Sequence, residues 1–476
     1  MILKILKPNR LFLVVLILFL WRLLFALKDP YFSGDSGYRL YYADRIILLM
    51  GNRMWLPFLQ SHIHIFYKLG FPYQIFKLIP CCYFLLALLF LAKLLQRIIG
   101  KSYSGFFFTL LILFVFSYQS KLFSLSTSLY QEMPEIAFLY ILFYLGALEL
   151  RKSKSLLFFG SIALFIRETF WVYLLVLTLL NFKKIKSEKI YKFSFIWLFS
   201  LIAIWFLAAP YLSFVKFSRL PRWPLMINTE SKSIVDLFGS FKSLSQALVN
   251  SRVIFILLGL IIILALKYLY FGKAKTTYSQ EKNFGSKFKI FSLASLAIIY
   301  FYIILFNPYE YTPANPRMII PLLSHLFIWT ALFFKESFNY QRSFKIICCI
   351  VLTASLLTIV RLRVDSWVVK DYSDDIKVYA AIQAMSKNIA KVSKPYTCIY
   401  GISFWKAIDN FIAPTLYTQK AIIDNQNEPL PDSCNIVITP LLFKLESQRF
   451  PSFHKIKIKG QEYLFYLSQD KTSAKH

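Results

Sequence analysis

Long apolar runs separated by short polar segments dominate the first 361 residues of this 476-residue chain. A helix needs about 20 apolar residues to cross the hydrocarbon core of a bilayer. Runs of this length, or slightly shorter, fall at 11 to 27, 79 to 95, 105 to 119, 133 to 149, 193 to 210, 252 to 270, 289 to 306, 318 to 334 and 345 to 361. The pattern predicts an all-α polytopic membrane bundle over residues 1 to 361.

The apolar stretch between Lys154 and Lys183 is interrupted by Arg167 and Glu168. If it formed one helix, each of these charges would lie near the bilayer centre at a cost of about 2.5–3.5 kcal/mol. Two short helices, over about 155 to 166 and 168 to 181, avoid this cost by turning at Arg167 on the outer face. We therefore predict the two short helices, which brings the count to about 11 transmembrane helices.

The distribution of basic residues agrees with this count. Cytoplasmic loops of membrane proteins carry an excess of Lys and Arg. With the amino terminus inside, the predicted inner loops are about threefold denser in Lys and Arg than the outer loops. A single helix across Arg167 would instead place the basic segment from Lys183 to Lys189 outside.

The first apolar run, Leu11 to Leu27, follows Lys4, Lys7 and Arg10 and superficially resembles a secretory signal peptide. It lacks a small-residue cleavage site, and many further runs follow it. We interpret it as a retained signal-anchor helix with a cytoplasmic amino terminus. Arg22 lies near its outer end, where a long side chain can reach the membrane interface.

The tail, residues 362 to 476, has ordinary polarity and no run that could span a bilayer. Residues 374 to 391 have a helical pattern. Short apolar runs follow at 397 to 402, 421 to 424 and 435 to 439, and residues 455 to 467 have a hairpin pattern around Gly460. The pattern predicts a small C-terminal α/β domain. An odd number of crossings makes this domain extracytoplasmic.

Composition fixes the class of protein. Apolar residues make up 57% of the chain, against roughly 45–50% in soluble domains. The formal net charge of +31 could suggest nucleic-acid binding. The predicted inner loops carry much of this charge, so membrane topology already accounts for it. We therefore predict a multi-pass protein of the cell membrane that contacts membrane lipids and binds no nucleic acid.

The chain contains no CxxC, HExxH or other metal-binding spacing and no glycine-rich phosphate loop. His62 and His64 are two residues apart, a spacing that does not place two side chains on one helix face. We predict no cofactor and no metal site, and the sequence does not indicate a divalent metal. Any phosphate group must be held by side chains.

The first outer loop, 28 to 78, contains the segment Ser33-Gly34-Asp35-Ser36-Gly37-Tyr38. Apolar positions at helical spacing follow Asp35 and predict an amphipathic interfacial helix, and a second such segment runs from Trp55 to Leu69. Asp is a favoured helix N-cap residue, and that role alone would explain Asp35. Its position on the outer face also suits a catalytic base.

Further charged residues fall at the outer ends of predicted helices. Glu132 and Glu135 lie at the outer end of the fourth run, Arg167 lies at the turn described above, and Arg317 belongs to Asn315-Pro316-Arg317 before the span at 318. Solvated helix starts and interfacial anchors would account for each of them singly. Together they suggest a site, because a carboxylate can take a proton from a hydroxyl and a guanidinium can bind a phosphate.

In these features the chain resembles the GT-C superfamily of polytopic glycosyltransferases, in particular bacterial relatives of the protein O-mannosyltransferases and the lipid A aminoarabinose transferase. The resemblance covers most of residues 1 to 361. It includes Asp35 in its long first loop, the acidic second loop at Glu132, the paired helices about Arg167, and Asn315-Pro316-Arg317 before Pro321. Many relatives carry two adjacent acids in the first loop, whereas Ser36 follows Asp35 here.

The resemblance implies an inverting transferase that moves a sugar from a polyprenyl-phosphate donor to a lipid, glycan or protein acceptor on the outer face. Asp35 would be the general base, and Glu132 would orient the sugar or acceptor as a second catalytic residue. Arg317, with help from Arg167, would stabilise the departing lipid phosphate. Glu135 and Tyr38 are assigned to substrate binding.

Other functions stay open at this point. A lipid-linked glycan flippase or transporter would also be polytopic, although transporters usually place ionisable residues near the bilayer midplane. A glycan polymerase or ligase of cell-envelope assembly would use the same lipid carriers on a different fold. A non-catalytic assembly scaffold is the remaining alternative.

Overall fold

The fold was analysed in a computed structural model of the chain. The residues that it describes are 9–28, 39, 57–71, 73–100, 102–127, 129–150, 153–167, 169–217, 242, 244–246, 248–249, 252–271, 282–306, 319–337, 342–358, 399–401, 422–424, 436–440, 453–458 and 461–467.

Helices make up most of the described residues before 362, as the apolar runs predict. The α-helices are α1 Asn9–Lys28, α2 Pro57–Lys68, α3 Leu78–Ile99, α4 Tyr103–Tyr118, α5 Ser120–Thr127, α6 Glu132–Tyr144, α7 Ser153–Leu164, α8 Thr169–Leu180, α9 Phe182–Ser187, α10 Lys189–Phe217, α11 Val253–Phe271, α12 Lys282–Phe306, α13 Ile320–Ser337 and α14 Arg342–Thr358. Short 3₁₀ turns lie at Tyr73–Lys77 and Ala147–Glu149.

Two helical segments of the described chain, Ile75–Ile99 and Phe284–Phe301, are long and apolar enough to cross a membrane. Shorter apolar helices cover Leu11–Leu27, Tyr103–Tyr118, Lys154–Leu164, Thr169–Leu180, Val253–Tyr268 and Phe344–Thr358. These lengths and compositions are those of a membrane-associated helical protein.

The structure confirms the predicted break at Arg167 but not a continuous helix over the run at 133 to 149. The chain breaks between α7 and α8, with turn residues at 165 and 166, so the prediction of two short helices about Arg167 is confirmed. The run at 133 to 149 does not form one helix, because α6 ends at Tyr144 and Gly146 adopts a left-handed φ of 84°. Glycine adopts this conformation without the steric cost that other residues incur.

Aromatic side chains fill the centre of the bundle. Phe84 of α3, Phe116 of α4 and Phe327 of α13 are fully buried. The Phe84 and Phe116 rings stack with their centroids 5.9 Å apart, and Phe327 meets Phe116 edge to face at 5.5 Å. These contacts join α3, α4 and α13 into one core.

Arg22 is buried by neighbouring helices, and the expectation that its side chain reaches the membrane interface stays a prediction. Its side chain is buried on the inward face of α1, where it donates to the Ser117 carbonyl and lies over the rings of Phe84 and Phe123. The sequence gives the height of Arg22 along the helix but not the side of the helix on which neighbouring helices pack.

The chain divides into two compact units. The first consists of Met1–Leu24, Ile46–His62 and Leu78–Leu362, and the second of Phe25–Arg45, Ile63–Lys77 and Arg363–His476. Two segments of the first loop thus group with the C-terminal segment. Of the first predicted interfacial helix only Arg39 is described, in helical conformation, whereas the second is present as α2.

The second unit contains a five-stranded mixed sheet. Its strands are β1 Ile399–Gly401, β2 Ile422–Asp424, β3 Ile436–Pro440, β4 Phe453–Ile458 and β5 Gln461–Leu467, in the order β2-β1-β3-β5-β4. β1 pairs in parallel with β2 and β3, and β5 pairs antiparallel with β3 and β4. The strands fall on the predicted apolar runs and on the hairpin at Gly460. The helix predicted at 374 to 391 lies outside the described residues.

Gly259 of α11 lies against Ser355 of α14 and provides a test of this packing. A Cβ at this position would overlap the Ser355 hydroxyl and lie 3.0 Å from the Ser355 Cβ. We expect Gly259→Ala to lower the free energy of unfolding by about 1–3 kcal/mol, the usual cost of overpacking. Denaturant unfolding in detergent micelles measures it.

Two further variants control this experiment. Gly160→Ala adds the same methyl group at a position where the nearest atom, on Leu198, is 3.4 Å away, so it should leave stability nearly unchanged. Adding Ser355→Gly to Gly259→Ala removes the clash and should restore part of the loss. Equal stability of Gly259→Ala and the wild type would contradict the described approach of the two helices.

Candidate active site at one end of the bundle

Two carboxylates lie in the first turn of α6. Glu132 begins the helix and Glu135 follows three residues later, a spacing that places both side chains on one helix face. Both are buried, with 3% and 2% of their surfaces exposed. The positive end of the helix dipole favours acidic residues in this turn. Burial of two carboxylates nevertheless requires a cation nearby.

Arg167 supplies that cation. Its Nη1 atom lies 2.9 Å from Glu132 Oε1 and 3.0 Å from Glu135 Oε2, so one guanidinium nitrogen bridges both acids. The side chain is 19% exposed. The chain brings Arg167 here because α7 ends at Leu164 and α8 starts at Thr169, which places Arg167 in the turn between them. The three residues that the sequence grouped by their helix-end positions are therefore in contact.

Thr169 completes this cluster from the start of α8. Its hydroxyl donates a hydrogen bond of 2.6 Å to Glu135 Oε1. A hydrogen bond to a charged acceptor is roughly twice as strong as one between neutral groups. Glu135 therefore connects α6 both to the turn at Arg167 and to α8. We call Glu132, Glu135, Arg167 and Thr169 the acidic cluster.

Tyrosine hydroxyls lie beside the acidic cluster. Tyr173, one turn after Thr169, interacts electrostatically with Glu135 and Arg167 and with the hydroxyl of Tyr300 on α12. Tyr300 hydrogen-bonds the backbone of Leu322, in the first turn of α13. The cluster thus lies where the starts of α6, α8 and α13 approach the last turns of α12.

His325 of α13 is fully buried near Tyr173. Its Nδ1–H donates to the Pro321 carbonyl over 2.7 Å, which leaves Nε2 as the acceptor of a neutral ring. Its ring is packed against those of Phe143, Tyr173, Phe288 and Phe291, with centroid separations of 5.7 to 6.1 Å. Within the described part of the chain, neither His325 Nε2 nor the Tyr173 hydroxyl has a hydrogen-bond partner.

The sequence did not single out Thr169, Tyr173 or His325. A histidine inside an apolar run is a signal in itself, because ionisable residues within membrane segments are commonly functional. Thr169 and Tyr173 carry no such signal, since hydroxyl residues are common in membrane helices. Their importance follows from the buried carboxylate that they approach, which only the tertiary structure shows.

The remaining predicted site residues, Asp35, Tyr38 and Arg317, lie outside the described residues. Their roles stay predictions. Among the residues that are described, no group of three or more His, Cys, Asp or Glu side chains is placed to hold a metal ion.

Arg167 holds the two carboxylates in place. Its Nη1 atom bridges Glu132 and Glu135, so Arg167 fixes their orientations. The role predicted for Arg167 in stabilising a lipid phosphate stays a prediction. The acidic cluster can accept protons or hydrogen bonds from hydroxyl groups, which is the chemistry that sugar and alcohol substrates offer.

Removing Arg167 should be costly, because it leaves two buried acids without this cation. We expect Arg167→Gln to lower the free energy of unfolding by about 3–5 kcal/mol, the usual cost of breaking a buried ion pair. Combining it with Glu132→Gln and Glu135→Gln should recover much of that loss. Denaturant unfolding in micelles measures both variants.

The matched control is Lys267→Gln. Lys267 pairs with Glu336 at 3.5 Å, and both side chains are 33% exposed. Exposed ion pairs contribute about 0–1 kcal/mol, so this variant should be nearly as stable as the wild type. If Arg167→Gln costs no more than Lys267→Gln, the acidic cluster does not carry the buried charges described here.

Comparison of the chain with protein-family models, with curated proteins and with solved structures finds no significant match.

Proposed function

We propose that this protein is a multi-pass membrane glycosyltransferase of GT-C-like architecture with an active site at the outer end of its helical bundle. It would transfer a sugar from a polyprenyl-phosphate donor to an acceptor on the extracytoplasmic face, with inversion. The observation that carries the proposal is the acidic cluster, in which Arg167 bridges two buried carboxylates at the bundle end predicted to face outward.

Contacts between helix ends support the proposed topology of about eleven crossings. Lys267 at the end of α11 and Lys289 at the start of α12 both pair with Glu336 at the end of α13. Lys287 of α12 donates to Asn181, which follows α8, over 3.4 Å. The alternating topology places all of these ends on the inner face, where basic residues are expected.

A second set of contacts joins ends predicted on the outer face. The acidic cluster connects the starts of α6 and α8, and the Phe58 N–H of α2 donates to the Phe165 carbonyl before the turn at Arg167. Arg252, before α11, donates to the Thr358 carbonyl at the end of α14. The C-terminal sheet would then belong to an extracytoplasmic α/β domain.

In the proposed mechanism Asp35 accepts the proton of the acceptor hydroxyl or amine as that group attacks the anomeric carbon. Glu132, fixed by Arg167, orients the sugar or the acceptor. Arg317 stabilises the negative charge that develops on the departing lipid phosphate. Glu135 and Tyr38 contact the substrate, with Glu135 held by Thr169. The proposal requires no metal.

Transport of a lipid-linked glycan is a second candidate, because ionisable side chains lie within the helices. Arg22 and His325 are buried within α1 and α13, respectively. Ionisable residues in such positions are typical of transport pathways. A transporter would move a labelled lipid-linked glycan across a proteoliposome membrane without forming a new glycosidic bond, whereas a transferase would form that bond.

Labelling of single cysteines tests the topology. In a variant with its native cysteines replaced, Leu69→Cys, after α2, should react with a membrane-impermeant thiol reagent in intact cells. Ser187→Cys, at the end of α9, should react only after the membrane is permeabilised. Both positions are exposed, so reactivity reports the side of the membrane. Labelling of Ser187→Cys in intact cells would contradict the eleven-span arrangement.

The proposed base is tested by measuring transfer from a radiolabelled pool of polyprenyl-phosphate sugars. We expect Asp35→Asn to lower the rate by about 10²–10⁴-fold, the usual contribution of a general base. Asp44→Asn makes the same chemical change in the same loop and should keep the wild-type rate. Unchanged transfer by a well-expressed Asp35→Asn protein would remove Asp35 from the mechanism.

A further inference from the structure

The helix α1 presents one face to the rest of its unit and the other face outward. In the part of α1 that belongs to the first unit, the buried residues recur at helical spacing: Leu11, Val15 and Arg22. Large apolar residues of the outward face, among them Phe12, Leu13, Ile17, Trp21 and Leu24, are about half exposed. An arginine therefore occupies a position on the inward face that the pattern reserves for apolar side chains.

The surroundings of Arg22 satisfy only part of its hydrogen-bonding capacity. One guanidinium nitrogen, Nη2, donates to the Ser117 carbonyl, and the guanidinium carbon lies 3.6 Å from the Phe123 ring centroid and 4.8 Å from that of Phe84. Within the described structure, the buried Nε and Nη1 atoms donate to no acceptor, and no carboxylate pairs with Arg22. The side chain is 1% exposed, so these atoms are shielded from bulk solvent.

Gln119 adds a third unsatisfied donor two residues after Ser117, the residue whose carbonyl binds Arg22. It lies between α4 and α5 and is completely buried. Its Oε1 accepts from the Leu122 N–H over 2.8 Å, which turns the amide nitrogen away from that bond. In the part of the chain that the structure describes, the buried Nε2 has no acceptor. The hydrogen bond to Leu122 also shows that Gln119 caps the start of α5.

The Arg22 guanidinium, the Gln119 amide nitrogen and the start of α5 all donate hydrogen bonds and accept none. An arginine supplies a full positive charge, an amide nitrogen supplies two N–H groups, and the start of α5 supplies the positive end of a helix dipole. Leaving such groups buried and unpaired is costly, and a metal ion or another cation would be repelled. An anion with several acceptor oxygens is the kind of ligand that such donors favour.

We propose that Arg22 and Gln119 form an anion site that binds a phosphate group at the junction of α4 and α5. Arginine is suited to this ligand because its planar guanidinium matches the oxygens of a phosphate. The site shares no residue with the acidic cluster and does not depend on glycosyl transfer. The phosphate could belong to a lipid headgroup that enters past α1 or could be free in solution, and the same donors would bind both.

Binding to the purified protein in detergent tests this site. The probes are inorganic phosphate and phosphatidic acid, which carries a phosphomonoester headgroup, with diacylglycerol as the uncharged lipid control. We expect the wild type to bind at least one phosphate probe saturably and Arg22→Gln to bind it about 10–100-fold more weakly, as loss of a charged hydrogen-bond partner implies. Gln119→Leu should weaken binding by a smaller factor.

Arg252→Gln is the matched control, because it removes an arginine that is exposed and distant in the sequence. It should bind as the wild type does. Gln119→Leu keeps the arginine and its aromatic contacts, so it remains informative if Arg22→Gln does not fold. Binding of inorganic phosphate alone would identify a free-anion site, and binding of phosphatidic acid alone would identify a headgroup site.

Two results would overturn the proposal. One is the absence of saturable binding of either probe to the wild type, which would leave Arg22 as a structural contact between α1 and its neighbours. The other is equal binding by the wild type, Gln119→Leu and any folded Arg22 variant. Neither result bears on sugar transfer, so failure of this site and failure of the proposed function can be told apart.

Discussion

The contact of Arg167 with Glu132 and Glu135 is the interaction on which the arrangement of the helical region depends. The two carboxylates are almost completely buried, and such groups are stable only when a cation and hydrogen bonds offset the loss of water. Arg167 can reach both acids because the chain turns between α7 and α8. The same turn presents Thr169 to Glu135. A local break in an apolar stretch therefore fixes the relation of α6 to α8.

The same interaction fixes the positions of both carboxylates. Carboxylates held at 2.9 and 3.0 Å from one guanidinium nitrogen cannot easily reorient. Sugar hydroxyls are bound most selectively by polar groups with fixed positions, because mispaired groups in a buried site are costly. Tyr173 and His325 extend the polar region inward from the acidic cluster, surrounded by aromatic rings.

The sequence predicted the helices and the turn at Arg167 because both follow from the cost of placing charge in a membrane. Glu132, Glu135 and Arg167 could be grouped because all three lie at ends of apolar runs. The sequence could not show that they touch, nor that Glu135 also binds Thr169, since these contacts depend on how α6 and α8 pack. The ending of α6 at Tyr144 depends on the left-handed turn at Gly146.

Arg22 also shows that the sequence does not reveal which side chains pack together. Its place in an apolar run was clear, but its height along α1 suggested the interface, whereas packing turned it inward against Phe84 and Phe123. The structure thus contains two buried polar regions of opposite character. The acidic cluster offers mainly acceptor groups, and the junction of α4 and α5 offers unpaired donors.

We propose that the protein catalyses inverting sugar transfer from a lipid phosphate. The most direct measurement is the anomeric configuration, by NMR, of the product that the purified protein forms from a polyprenyl-phosphate sugar of known configuration. The account predicts a single glycoside of the opposite configuration to the donor, as one displacement at the anomeric carbon requires. A product of retained configuration would contradict the mechanism, and the absence of transfer from every polyprenyl-phosphate sugar would contradict the function.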